Sequence, residues 1–347
     1  MSDAMLAIRL RALGDVVLTT PALRALRAGH PGRALDVVTD PRYLPLLDGL
    51  PGIRRVWAAG RGTGDTLALA RQLRRERYGL AVDFFGNPRS AFLTAACGAR
   101  ATAGYDLRGR RYAYRHRVAR EVAPAPGRRE HASAVHVRLA EAVGGRGDGL
   151  ASEVALSAAA RHEADALLRA AGIDRPEATI GFIAAGTWAT KTWPPSHAAR
   201  CIRRLIAADL PILLIAGPGE EAVTGALTAL VPELRVLPPA GVAALVGVIA
   251  RLRAVVGTDS GPRHIAAALG VPTFCWFGPT HPDTWASPGP AHGFWWTPLP
   301  CRGCDRTACP HWNCLPTLAP DTAADAVLAH LERHVRTTPA LGSAHHA

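Results

Sequence analysis

The residues able to do chemistry fall into a few short clusters. Arg11-Ala12-Leu13-Gly14-Asp15 joins an apolar run to a helical pattern. Gly14 permits a tight turn, and Asp15 lands at the helix start. There it either caps a free backbone N–H or acts as a general base toward a hydroxyl. A second cluster runs from Ala185-Gly186-Thr187 to Lys191-Thr192-Trp193-Pro194, after another apolar run. Gly186 and Thr187 suit a loop that holds phosphate oxygens, and Lys191 brings a compact point charge. Lys191 is the sole lysine of the chain, which marks it as a position that does not accept a guanidinium fork.

The third cluster is Gly257-Thr258-Asp259-Ser260-Gly261-Pro262-Arg263-His264. Ser260 and Gly261 would turn free N–H groups and the positive end of a helix toward an anion. Pro262 suits a first helical turn. Asp259 would repel that anion, so it is expected to bond sugar hydroxyls, with His264 beside the phosphate site. Gly217-Pro218-Gly219-Glu220-Glu221-Ala222 fits a G-x-G-x-x-A dinucleotide pattern. No acidic residue closes the following strand, however, so Glu220 or Glu221 is expected to hold ribose hydroxyls instead. Cys301, Cys304, Cys309 and Cys314 lie at short intervals and read as a closed, tetrahedral structural metal site, zinc first and iron second. Four thiolates leave no open position for catalysis. Cys97, Cys201 and Cys275 stand alone in apolar surroundings and read as core. P-loop, G-x-S-x-G and H-E-x-x-H patterns are absent.

These clusters sit between alternating strand and helix patterns. The first half reads as strand 5–10, helix 16–29, strand 34–39, helix 43–50, strand 54–58, helix 65–76, strand 80–84 and helix 90–97. After the Gly-rich stretch 144–149 the alternation restarts: helix 158–171, strand 179–184, helix 196–208, strand 212–216, helix 220–230, strand 234–237, helix 242–252, strand 254–257, helix 263–269 and strand 273–277. A last helix, 321–336, closes the second domain or packs back on the first, and 337–347 reads as a disordered tail. Such alternation implies an α/β chain with two doubly wound parallel-sheet domains, 1–155 and 156–336, binding ligands at the carboxyl ends of their strands.

Length and composition agree with that organisation. A chain of 347 residues, 48% hydrophobic and 20% charged, can bury two cores and is not of disordered type. No run of about 20 apolar residues could span a membrane, and Arg9 and Arg11 interrupt any secretory signal, so a cytoplasmic location is expected. The net charge of +12 is carried by arginines in both halves. With aromatics at only 6%, a nucleic-acid platform is not expected. The clustered stretch Arg108–Arg120 (RGRRYAYRHRVAR) favours an acidic partner such as a phosphorylated headgroup, and with it peripheral attachment to the inner membrane face.

Taken together, the motifs resemble a known family. RLRALGDVVLTTPALRALRAGHP, from Arg9, is similar to the opening of the bacterial lipopolysaccharide heptosyltransferases, glycosyltransferase family 9. GTDSGPRHIAAALGVPTFCWFGPTHPDTW, from Gly257, resembles that family's donor segment. The order of motifs spans Leu6 to about Leu315. The resemblance implies a GT-B fold of two Rossmann-like domains facing across a cleft, and inverting transfer from ADP-heptose without a catalytic cofactor. The acceptor would be an anionic saccharide or glycolipid, the inner core of a lipopolysaccharide precursor, held by the N-terminal domain. By the same resemblance Asp15 is the base after Gly14, and Lys191 and Thr187 touch the pyrophosphate. Asp259, Ser260, Gly261 and His264 touch donor sugar and phosphate, and Glu221 the ribose. Arg263 departs from the family, where Met is commoner; the cysteine cluster recurs in some members. A protein or secondary-metabolite acceptor, or another nucleotide sugar, would fit the same fold. An NAD-dependent oxidoreductase rests only on the G-x-G-x-x-A match.

Overall fold

The computed structural model describes residues 3–335, so the tail expected at 337–347 lies outside the described residues. The chain divides into two compact units, one of 1–158 and one from 159 onward, apart from 241–243, which group with the first.

The first unit runs β1 (Met5–Ile8), α1 (Leu13–Gly29), β2 (Leu35–Thr39), α2 (Leu44–Leu47), β3 (Ile53–Ala58), α3 (Thr63–Glu76), β4 (Leu80–Asp83), α4 (Pro88–Ala96), β5 (Ala101–Tyr105), β6 (His116–Val118) and α5 (Ala132–Glu141). Its parallel sheet has the order β3-β2-β1-β4-β5-β6. Strands β1 and β4 are buried along their whole length, as apolar strands covered on both faces must be. The last three elements, β5, β6 and α5, carry little signal in the sequence. Strand β5 is built of small residues because the Tyr114 ring occupies the space beside Gly104, 2.6 Å from where a Cβ would stand. Helix α5 interrupts its apolar face with buried Ser133 and His136.

The second unit runs α6 (Ala158–Ala170), β7 (Ile180–Ile183), α7 (Pro195–Ile206), β8 (Ile212–Leu214), α8 (Glu221–Leu230), β9 (Arg235–Val236), α9 (Val242–Ile249), β10 (Ala254–Thr258), α10 (Gly261–Ala268), β11 (Thr273–Phe277), α11 (Pro282–Trp285), β12 (His292–Trp296) and α12 (Pro320–Val335). Its parallel sheet has the order β12-β11-β10-β7-β8-β9. Strand β12, unforeseen in the sequence, follows a Pro- and Gly-broken stretch, and its Gly293 leaves room for His330 and Phe274. Of the two placements open to the last helix, the second unit takes it. Ala323, Ala324, Val327 and Leu331 complete a core with Ile202, Leu205, Trp193 and Trp276.

Both sheets reverse their strand order at one point, β1/β4 in the first and β7/β10 in the second. Loops leaving the carboxyl ends there diverge and open a crevice. At the second of these points the strands approach closely. Gly257 has φ 142°, and a Cβ there would lie 2.0 Å from the Ile183 carbonyl oxygen, so only glycine fits.

Candidate functional site

Arg9 and Asp15 meet at the switch point of the first unit. Arg9 follows β1, is 4% exposed, and donates to the Phe84 carbonyl beyond β4 at 2.7 Å. Its other terminal nitrogen stands 2.6 Å from Asp15 Oδ1. Asp15 is not the N-cap of α1: Ala12 is, and the Asp15 carboxylate, one turn in, accepts the Ala12 N–H through Oδ2 at 3.1 Å. The Asp15 side chain is 31% exposed, and each of its oxygens keeps a further lone pair. A half-open carboxylate fixed at both oxygens is what a positioned proton acceptor requires. Gly14, expected to form a tight turn, lies inside the first turn of α1.

Neighbouring groups make that platform stiff. Asp83 is fully buried, accepts the Phe85 and Gly86 N–H groups, and receives the Tyr114 hydroxyl at 2.6 Å. Burial pushes its carboxyl above the usual range against those hydrogen bonds. Arg120 donates to the Phe85 carbonyl at 3.1 Å. The Tyr105 hydroxyl lies 2.6 Å from His136 Nδ1. Burial, then the charges of Arg9 and Arg120, hold His136 well below its ordinary value, so the ring pairs with Tyr105 in its neutral form. Sequence reading gave none of these residues a role at the site; Tyr114 and Arg120 entered it only as part of a basic stretch, and Arg9 only as a break in a secretory signal. The available signal was Arg9, a cation directly after a wholly apolar strand.

The second switch point holds the other cluster. Lys191 Nζ reaches from the loop after β7 to Asp259 Oδ2 after β10, at 2.9 Å. Gly186 makes the crossing feasible, because a Cβ there would come within 3.0 Å of the Lys191 stem. The ammonium also lies 4.4 Å from the Trp188 ring and 5.9 Å from that of Trp285, both within cation–π reach. Thr187 is exposed on the same loop. Asp259, expected to bond sugar hydroxyls, is only 3% exposed and is bonded within the protein. Its Oδ2 also receives the Thr280 hydroxyl at 2.9 Å, and its Oδ1 receives Arg263 at 3.0 Å. Burial raises its pKa, but Lys191 and Arg263 outweigh burial and hold the carboxyl well below the usual range.

Helix α10 opens on the same cluster. Ser260 is its N-cap, in extended backbone, with Gly261 first in the helix. The Ser260 hydroxyl makes no cap bond, which leaves the first-turn N–H groups to other acceptors. Arg263 Nη2 also lies 3.2 Å from His264 Nε2. Further along the sheet, Glu220 and Glu221 hold their own turn, accepting the Gly217 and Gly219 N–H groups at 2.9 and 3.0 Å.

The four cysteines do not fit a metal site. Among the described residues no group of three or more His, Cys, Asp or Glu side chains is placed to hold an ion. Backbone bonds from Gly303 to Gly278 and from Asp305 to Pro279 lay the segment on the loop after β11. Cys301 and Cys304 are thereby exposed, while Cys314 is tucked against Gly278. The segment instead braces the lysine loop: Thr190 donates to the Arg306 carbonyl at 2.7 Å, and Trp312 donates to that of Thr190 at 3.1 Å. Cys97, Cys201 and Cys275 are buried. No helix of the described residues is long and apolar enough to cross a membrane.

Residues 66–314 match the model of glycosyltransferase family 9 (heptosyltransferase). The chain belongs to that family. As a glycosyltransferase it is similar to lipopolysaccharide heptosyltransferase 1 of Pseudomonas aeruginosa, 28% identical over 88% of this chain and 87% of the relative. Its GT-B fold is that of the ADP-heptose LPS heptosyltransferase II of Escherichia coli, with a TM-score of 0.78 at 20% identity, covering 95% of this chain and 99% of that one. It also matches E. coli heptosyltransferase WaaC with ADP, with a TM-score of 0.74 at 21% identity, covering 94% and 99%.

Removing the Arg9 guanidinium strands both Asp15 and the buried Phe84 carbonyl. Arg9→Met is expected to destabilise the glycosyltransferase by about 1–3 kcal/mol, the range for lost charge-assisted bonds. Urea unfolding followed by tryptophan fluorescence would measure it, and an unchanged midpoint would show that Arg9 is no tether.

Proposed function

We propose that this glycosyltransferase transfers heptose from ADP-heptose, with inversion, to a saccharide of a lipopolysaccharide precursor. The acceptor belongs to domain 1–155 and the donor to domain 156–336. The single observation carrying this is the Lys191–Asp259 bridge at the second switch point, placed beside the open start of α10. A nucleoside diphosphate leaving group needs positive charge, and those groups supply it. Family membership and relatives whose names specify lipopolysaccharide and ADP-heptose support the choice of sugar, donor and acceptor.

In this reading the acceptor hydroxyl gives its proton to Asp15 as its oxygen attacks the anomeric carbon from the face opposite the diphosphate. The bond from that carbon to the β-phosphate oxygen breaks, and ADP departs with the electron pair. Lys191 and the N–H groups of Ser260 and Gly261 take up the developing charge, with Thr187 and His264 beside them. Glu221, helped by Glu220, holds the ribose. Asp15→Asn is expected to lower turnover at least 1,000-fold while ADP affinity, set in the other unit, stays within about twofold, consistent with losing a proton acceptor. ADP release from ADP-heptose with an inner-core acceptor measures the first and calorimetry the second. Wild-type turnover in the variant would remove Asp15 from its role.

The acceptor's lipid setting gives the basic edge of the first sheet a use. Around edge strand β6, Arg108, Arg115 and Arg117 are exposed and make no ion pair among the described residues, and Tyr112 beside them is 67% exposed. Exposed arginines close in sequence to an exposed aromatic suit an anionic membrane surface. The chain is expected to sediment with vesicles containing phosphatidylglycerol but not with pure phosphatidylcholine. Arg108→Glu with Arg117→Glu should release it, and equal sedimentation with both vesicle types would discard this contact.

A further inference from the structure

Arg263 is the chain's own departure at the donor motif, and its position is informative. Its side chain is 2% exposed, in the same pocket as Asp259. Its guanidinium donates to Asp259 Oδ1 at 3.0 Å, to the Ser287 hydroxyl at 3.0 Å and to the Trp285 carbonyl at 2.7 Å, over the Phe277 ring. Lys191 and Arg263 therefore share one carboxylate, each on its own oxygen. Two cations against one anion leave this buried cluster with one net positive charge.

That surplus decides what Lys191 can do. A carboxylate shut away from water needs a cation at all times. If Lys191 were alone with Asp259, its charge would be spent there, and an arriving diphosphate would meet a neutral pair with a carboxylate in it. With Arg263 and Thr280 holding Asp259, Lys191 keeps Asp259 company without being indispensable to it. We propose that Arg263 is a positioning residue that neutralises Asp259 so that the charge of Lys191 is available to the donor diphosphate. The inference rests on the reading of Lys191 as a diphosphate contact.

The test is calorimetric titration of ADP and of adenosine into the full chain and its variants. Arg263→Met should weaken ADP about 10- to 100-fold, the scale for one charge lost near a diphosphate in a partly dry site, and leave adenosine unchanged. Arg263→Lys should restore ADP affinity to within a few-fold, because charge rather than fork geometry is what matters. The double variant Asp259→Asn with Arg263→Met removes both charges, frees Lys191 and should recover most of the affinity. A merely structural Arg263 would give the opposite result. ADP and adenosine would then weaken together in Arg263→Met, Arg263→Lys would fail, and the double variant would bind no better than the single one. Wild-type ADP affinity in Arg263→Met would equally overturn the inference. Lys191→Met separates the two claims: ADP affinity unchanged there removes the diphosphate contact itself, whereas a loss there with none in Arg263→Met removes only the role of Arg263.

Discussion

A carboxylate cut off from water must be surrounded by cations or give up its charge, and much of the second unit is arranged around that requirement at Asp259. The residue comes from the end of β10, Lys191 from the loop after β7, Thr280 from the loop after β11, and Arg263 from the first turn of α10. Three donors from three segments converge on its two oxygen atoms. The surrounding structure is shaped to allow it: Gly186 clears the path of the lysine, and Gly257 lets the two central strands approach. The segment bearing the four cysteines holds the lysine loop through Thr190. An ammonium held in this way keeps its place before a ligand arrives, which is the preorganisation that electrostatic catalysis depends on.

The first unit meets a similar need with weaker confinement. Arg9 bridges its switch point to a carbonyl and to Asp15, but Asp15 remains about one-third exposed while Asp259 is sealed. The difference in burial matches the different tasks proposed for the two carboxylates. A carboxylate that must accept a proton has to be reachable, and one that must only hold charge in place does not.

Much of this was legible in the sequence, because continuous apolar runs followed by Gly, Asp and Ser at strand ends mark doubly wound sheets and their ligand edges. Asp15, Lys191, Ser260 and Gly261 could be singled out on that basis. What stayed hidden was set by tertiary fit. Strand β5 looks too small to be a strand until Tyr114 is seen filling the space over Gly104. Sequence places Asp259 beside an anion site but cannot show that Lys191, Thr280 and Arg263 bond its oxygens. The cysteines were read as a metal cluster from spacing alone, whereas among the described residues they form no group placed to hold an ion. Arg263 registered only as an unusual residue, since its partners Trp285 and Ser287 come from a later loop.

The central claim is that the second switch point is a diphosphate site for an adenine nucleotide, with Lys191 as its cation. Parallel calorimetric titration of the wild-type chain with ADP, UDP, GDP and NAD tests it most directly. The account predicts that ADP binds most tightly and that its affinity falls as salt rises, as expected where charge carries the contact. UDP or GDP binding more tightly than ADP would contradict the donor assignment, and NAD binding most tightly would contradict the use assigned to the whole second unit.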